Sequence, residues 1–140
     1  HIARGSFTKA TELINSSEET RYFFDLFVKM MRTSVSGNIK SIKETATELA
    51  GIGREMQKSF LLYSLRMFRE YFVSNLRESA LEVFTKHAQR IERFSPYINE
   101  RNIEAFAAEF ALAHRQIEQN GNARIIFLDL CLKVTVLFRK

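Results

Sequence analysis

The chain has 140 residues, enough for one domain with a real hydrophobic core. Hydrophobic residues make up 46% and charged residues 26%, the balance of a soluble globular protein, and no apolar run reaches the ~18 residues a membrane span requires. The formal net charge of +5 permits an acidic partner without requiring one, since a charge this small also serves solubility.

Thirteen Phe and no Trp describe an aromatic-heavy core. Five Gly and one Pro are few breakers, which favours long helices over many short strands. The chain opens on His1, not Met, as expected of a fragment of a longer protein, and shows no charged-then-apolar signal segment. Its one cysteine, Cys131, cannot close an internal disulfide, so a reducing, cytoplasmic setting is the simplest expectation.

Residues 6–15 predict a short helix after Gly5, with Phe7, Ala10, Leu13 and Ile14 on one side. Ser16 and Glu19 have the spacing of a capping box, which predicts a fresh helix start. From there to about Ser34 the pattern is amphipathic: Phe23, Leu26, Phe27, Met30 and Met31 face inward, and Glu18, Arg21, Asp25, Lys29 and Arg32 outward. Asp25 and Lys29 are spaced for an i,i+4 ion pair. Gly37 and Asn38 divide this helix from the next, over residues 38–50, where Ile39, Ile42, Ala46 and Leu49 recur at spacings of three and four. Gly51 is the expected left-handed residue at its end.

Residues 53–76 predict the central helix. Phe60, Tyr63, Met67 and Tyr71 make one apolar row, and Leu61, Leu65, Phe68, Phe72 and Leu76 a second beside it. Such a wide face fits a helix packed on several neighbours. Ser79 and Glu82 repeat the capping-box spacing, and a helix follows through Leu81, Phe84, Ala88, Ile91 and Phe94. Pro96 stands at a first helical position, where its missing N–H costs nothing.

Asn99 is the expected cap of a helix running to about Asn120, with Ile103, Phe106, Phe110, Ala113 and Ile117 inward. Gly121 marks the turn into residues 122–140. Residues 128–136 alternate as a strand would, but no second strand exists to pair with one, and a lone hairpin is marginal. Asp129 and Lys133 pair at i,i+4, and Ile125, Leu128, Leu132 and Val136 share a helical face, so a helix is expected. All five glycines and Pro96 fall at proposed boundaries. The fold expected is an all-α bundle of about six to seven helices.

No pattern predicts catalysis or a bound cofactor or metal. The chain contains no G-x-x-x-x-G-K-[ST] phosphate loop, and no strand precedes Gly51 and Gly53 to make them a dinucleotide fingerprint. His87 and His114 lie on different predicted helices without metal-ligand spacing, and Cys131 sits in an apolar run. Glu18/Glu19, Glu44/Glu48 and Glu100/Glu104 line wet faces that would not tune a general acid. Lys86, His87, Arg90 and Arg93, interrupted by Glu92, and the closing Arg139 and Lys140 read as solvated or partner-facing surface more than as a nucleic-acid site.

Three stretches carry a family likeness. IARGSFTKATELI resembles the end of the lid domain in clamp-loader AAA+ subunits, where G-S-x-R-x-A-L supplies a sensor arginine; Gly5, Ser6 and Ala10 match, while Thr8 holds the arginine position and Thr11 that of the leucine. GREMQKSFLLYSLRMFRE and NGNARIIFLDLCLKV are similar to the most recognisable stretches of the collar domain that follows. Together they resemble the δ′-type subunits of the bacterial DNA polymerase III clamp loader, in their C-terminal region. The resemblance implies that residues 1–15 end the lid and 16–140 form the helical collar. It implies no enzymatic activity for this stretch, since Thr8 replaces the arginine that would stabilise charge in phosphoryl transfer.

The implied role is holding the loader ring together for sliding-clamp loading in DNA replication. Implied partners are the γ/τ and δ subunits of a heteropentamer, with DNA touched weakly or indirectly and no membrane. The positions it marks as motif or subunit-interface positions are Arg54, Gln57, Tyr63, Arg69, Glu70, Asn122 and Asp129. The alternatives are a γ/τ or δ collar, or an unrelated helical nucleic-acid-binding or adaptor domain.

Overall fold

In the computed structural model, residues 2–78 and 98–139 are described, with side chains for 18–74 and 98–139. Five helices and no strand occur among them: α1 (Ile2–Ser36), α2 (Ile39–Ala50), α3 (Arg54–Glu78), α4 (Ile103–Glu118) and α5 (Ala123–Leu137). The all-α expectation holds, with five helices where six to seven were expected. The predicted helix from Ser79 to Phe94 and the proline start at Pro96 lie outside the described residues.

The predicted break at Ser16 does not occur. Helix α1 runs unbroken through Gly5, Ser16 and Glu19. Ending a helix leaves four N–H or four C=O groups without intrahelical partners, whereas a glycine or serine in the interior costs only about 1 kcal/mol or less, so continuation wins. The inward set is as expected, with Phe23, Leu26, Phe27, Met30 and Met31 all buried. Lys29 does not close onto Asp25; it forms an ion pair with Glu48 of α2. Beside it the Thr33 and Thr45 hydroxyls meet at 3.4 Å inside the α1–α2 contact.

Gly37 ends α1 at φ +68°, its N–H donating to the Thr33 carbonyl. Asn38 starts α2 by accepting from the Ser41 N–H at 3.1 Å. Gly51 is right-handed at φ −88°; the left-handed residue of that turn is Gly53, at φ +93°. Ile42, Ala46 and Leu49 are buried, but Ile39, expected with them, lies at the exposed start of the helix.

Helix α3 buries most of its wide face. Phe60, Leu61, Tyr63, Met67, Phe68 and Tyr71 are buried, while Leu65 and Phe72, at its margin, are partly buried. The face packs mainly on α4, whose Phe106, Phe110, Ala113 and Ile117 are buried as expected, and on α1. Phe68 is the junction of the three helices. Its ring stacks on Phe106 (centroids 4.6 Å apart) and meets Phe110 edge-on at 4.8 Å and Phe27 at 5.3 Å. Such pairs add about 0.5–1.5 kcal/mol each beyond their buried area.

The last helix, ambiguous in the sequence, packs against α1, α2 and α4. Its buried side is Ile126, Phe127, Leu130, Cys131, Val134 and Leu137. The face shared by Ile125, Leu128, Leu132 and Val136 is the opposite one. Ile125, Leu132 and Val136 point outward, with Leu128 partly buried at the margin. Both faces of α5 are apolar, so periodicity alone does not choose between them.

Side chains of α3 and α4 satisfy distant helix ends. Gln57 Nε2 donates to the Leu49 and Ala50 carbonyls, each at 3.0 Å, closing the end of α2. Asn102, not the expected Asn99, stands at the N-cap of α4, without a side-chain capping hydrogen bond; in the turn before it, Asn102 Oδ1 accepts from the Asn99 N–H at 2.9 Å, and Asn99 Oδ1 from the Arg101 N–H at 2.8 Å. Asn102, fully buried, also donates through Nδ2 to the Leu137 carbonyl at 3.2 Å, tying the start of α4 to the end of α5.

Candidate interaction surface

The sequence of α5, ARIIFLDLCLKVTVL, holds more apolar side chains than one buried face can use. The surplus is on the outside: Ile125 is 63% exposed, Leu132 40% and Val136 55%. These positions lie seven and four residues apart, which puts them on one stripe along the helix. Scattered exposed apolar residues need no explanation, whereas a contiguous row on one element is a candidate interaction surface.

An open groove of about 340 Å³ runs along the stripe where α5 meets α4, lined by Ala105, Glu109, Leu132, Lys133, Val136 and Leu137. Across it Lys133 Nζ lies 3.0 Å from Glu109 of α4 and 2.9 Å from Asp129 one turn back, so the predicted Asp129–Lys133 pair forms and gains a third member. Hydrogen bonds to Asp129 and Glu109 favour the charged ammonium and raise the Lys133 pKa above its ordinary value. At the far end the Gly37 turn lies against Thr135 and Arg139.

The seven positions marked by resemblance do not converge on one point. Arg54 donates from Nη1 to the Ile117 carbonyl, joining the start of α3 to the end of α4. Gln57 closes α2. Tyr63 is buried against Phe23 and Phe27, with the Arg66 guanidinium 5.3 Å from its ring centre; burial pushes its hydroxyl up to about 12. Arg69 is exposed and Glu70 half-buried on the same helix. Asn122 caps α5 by accepting from the Ile125 N–H at 3.1 Å. Only Asp129 borders the groove.

Among the described residues no group of three or more His, Cys, Asp or Glu could hold a metal ion. His114 pairs with Glu118 at 3.4 Å, one turn on in α4. Cys131 is fully buried, and burial pushes its thiol up to about 12, away from the reactive thiolate. The basic run at Lys86, His87, Arg90 and Arg93 lies outside the described residues. No described helix is long and apolar enough to cross a membrane.

The sequence puts the stripe residues on one helical face but leaves open which side of the helix is buried. The signal that could have placed them is composition, since a 15-residue helix apolar on every side cannot bury all of itself in a small bundle. Comparison with known proteins gives no match: no family model, curated protein or solved structure aligns with the chain.

Proposed function

We propose that the chain is the C-terminal region of a δ′ subunit of the bacterial DNA polymerase III clamp loader, with residues 16–140 as the collar domain that joins the subunit to its neighbours. The observation that carries this reading is the likeness of residues 53–70 and 120–134 to the collar's two most recognisable stretches. Both fall on architectural positions. The first begins α3 with the Arg54 and Gln57 ties to α4 and α2, and the second supplies the α4–α5 turn, the Asn122 cap and most of α5. Thr8 in the sensor-arginine position supports δ′ over an ATP-hydrolysing subunit. The outer face of α5 gives such a domain apolar surface to spend on assembly, where ring contacts commonly bury ~1,600 Å² in total.

The test is co-elution of the chain with the γ/τ and δ subunits from the same source at moderate and high salt, beside a titration with primed DNA. Subunit association that survives high salt, DNA affinity that vanishes there, and no ATP turnover are the expected results, because phosphate contacts release counterions and apolar helix contacts do not. Tight, salt-resistant DNA binding without subunit association would replace this reading with a helical nucleic-acid-binding domain.

A further inference from the structure

Asn120 and Gly121 are the only Asn-Gly pair in the chain, and they make the turn between α4 and α5. Two backbone hydrogen bonds close that turn: the Asn120 N–H donates to the Ile117 carbonyl at 3.1 Å, and the Gly121 N–H to the Gln116 carbonyl at 2.9 Å. With Gln119 as the C-cap of α4, this is the Schellman pattern, in which the residue after the cap is left-handed. Asn120 takes that place at φ +63°, where Asn is tolerated better than most residues with a side chain. Gly121 is needed for a different reason. A Cβ there would come within 2.9 Å of the Gln116 carbonyl oxygen and 2.8 Å of Ile126 Cδ1. The turn therefore suits Asn at one position and requires Gly at the next.

That pair carries a reaction of its own. No side chain on the glycine hinders its nitrogen, which can attack the carboxamide of the asparagine before it. The Gly121 nitrogen bonds to Asn120 Cγ, the Cγ–Nδ2 bond breaks, and the Gly121 amide proton departs on the ammonia released. Water then opens the cyclic imide at either carbonyl, leaving aspartate or isoaspartate. Asn120 is exposed, and no hydrogen bond among the described residues holds its carboxamide. The restraint is the backbone: ring closure needs the Gly121 nitrogen released from Gln116 and Asn120 turned out of its left-handed well. We infer that Asn120–Gly121 is a self-modification site gated by the fold, converting only when the end of α4 opens and leaving the α4–α5 turn permanently weakened. Isoaspartate adds a methylene to the main chain, so the two hydrogen bonds cannot return in register. Either product also places a negative charge at the C-terminal end of α4, beside exposed Glu118, where the helix dipole disfavours it. The Ile117 carbonyl accepts from Arg54 as well, so the damage reaches the start of α3. This inference does not depend on the clamp-loader reading and survives its failure.

Incubation of the chain at mildly alkaline pH, folded and in urea, tests it, with peptide mapping by mass spectrometry and isoaspartate-specific methylation as readouts. Conversion should concentrate at Asn120, and the folded chain should convert roughly 10–100-fold more slowly than the unfolded one, the protection expected of two modest hydrogen bonds. The converted chain, separated by its added charge on ion exchange, should show a lower urea midpoint than the unconverted. Asn120→Gly keeps the left-handed residue and both backbone bonds but has no carboxamide; it should yield no product in the turn and a midpoint no lower than wild type. Three results would each overturn the proposal. One is equal rates in the folded and unfolded chain. Another is a folded chain still intact at Asn120 after about a hundred half-times of the urea reaction. The third is a converted chain with an unchanged midpoint.

Discussion

Phe68→Ala offers the sharpest test of how the core is built. The side chain is 1% exposed and packs against three rings from two other helices: Phe106 stacked at 4.6 Å, Phe110 edge-on at 4.8 Å and Phe27 at 5.3 Å. Removing it forfeits the transfer energy of the ring and leaves a cavity, together about 3–5 kcal/mol for a buried Phe. The three ring pairs place this site at the upper end, about 4–5 kcal/mol, because no single helix can shift to refill the space. Phe72, four residues on, is only partly buried against the cluster, and Phe72→Ala should cost about 1–2 kcal/mol. Exposed Lys43→Ala should change stability by no more than about 0.5 kcal/mol. Urea titration followed by circular dichroism measures all three, with ΔΔG taken from the shift in midpoint at constant slope. A loss below about 1.5 kcal/mol for Phe68→Ala, or one no larger than for Phe72→Ala, would refute the placement of Phe68 at the junction of α1, α3 and α4.

Gln57→Leu removes both donors that close α2 and leaves the Leu49 and Ala50 carbonyls without them; it should cost about 1–3 kcal/mol and speed amide exchange in the last turn of α2. The glycines at helix ends should separate cleanly in the same titration. A Cβ on Gly121 would come within 2.9 Å of the Gln116 carbonyl and 2.8 Å of Ile126 Cδ1, so Gly121→Ala should destabilise by about 1–3 kcal/mol. Gly51, at φ −88° with its nearest neighbour at 3.5 Å, should accept Ala at no cost, and a large loss there would contradict its right-handed geometry. Burial raises the Cys131 thiol from 9.0 to about 12, the Tyr63 hydroxyl from 10.0 to about 12, and Tyr71 further still. The unfolded chain therefore loses these protons first, so their stabilising contribution is whole below pH 9 and declines as pH rises towards 12. Urea midpoints should fall across that window, and Cys131→Ala should flatten the early part of the fall.

Local chemistry alone settled much of this protein. The scarcity of breakers and the period of the apolar residues made it all-helical, and the Gly37–Asn38 and Asn120–Asn122 boundaries were legible because their residues act on their own backbone. Asn38 and Asn122 accept from N–H groups three residues on. Gly37 and Asn120 adopt positive φ, and the N–H groups of Asn120 and Gly121 fold back onto the Ile117 and Gln116 carbonyls. The inner faces of α1, α3 and α4 followed from a one-sided pattern that only one orientation can bury.

Where several local solutions cost nearly the same, the tertiary structure decided. The spacing of Ser16 and Glu19 allows a helix start, but nothing in the fold needs a break there, and α1 continues. Lys29 has carboxylates within reach on its own helix and on the next, and it takes Glu48 because α1 and α2 pack side by side. Gln57 and Asn102 answer carbonyls 8 and 35 residues away, pairings that no local window contains. Most of all, α5 is apolar on both sides, so its sequence makes it a helix but leaves its orientation open. Contact with α1, α2 and α4 fixes which side is buried, and thereby puts Ile125, Leu132 and Val136 in water.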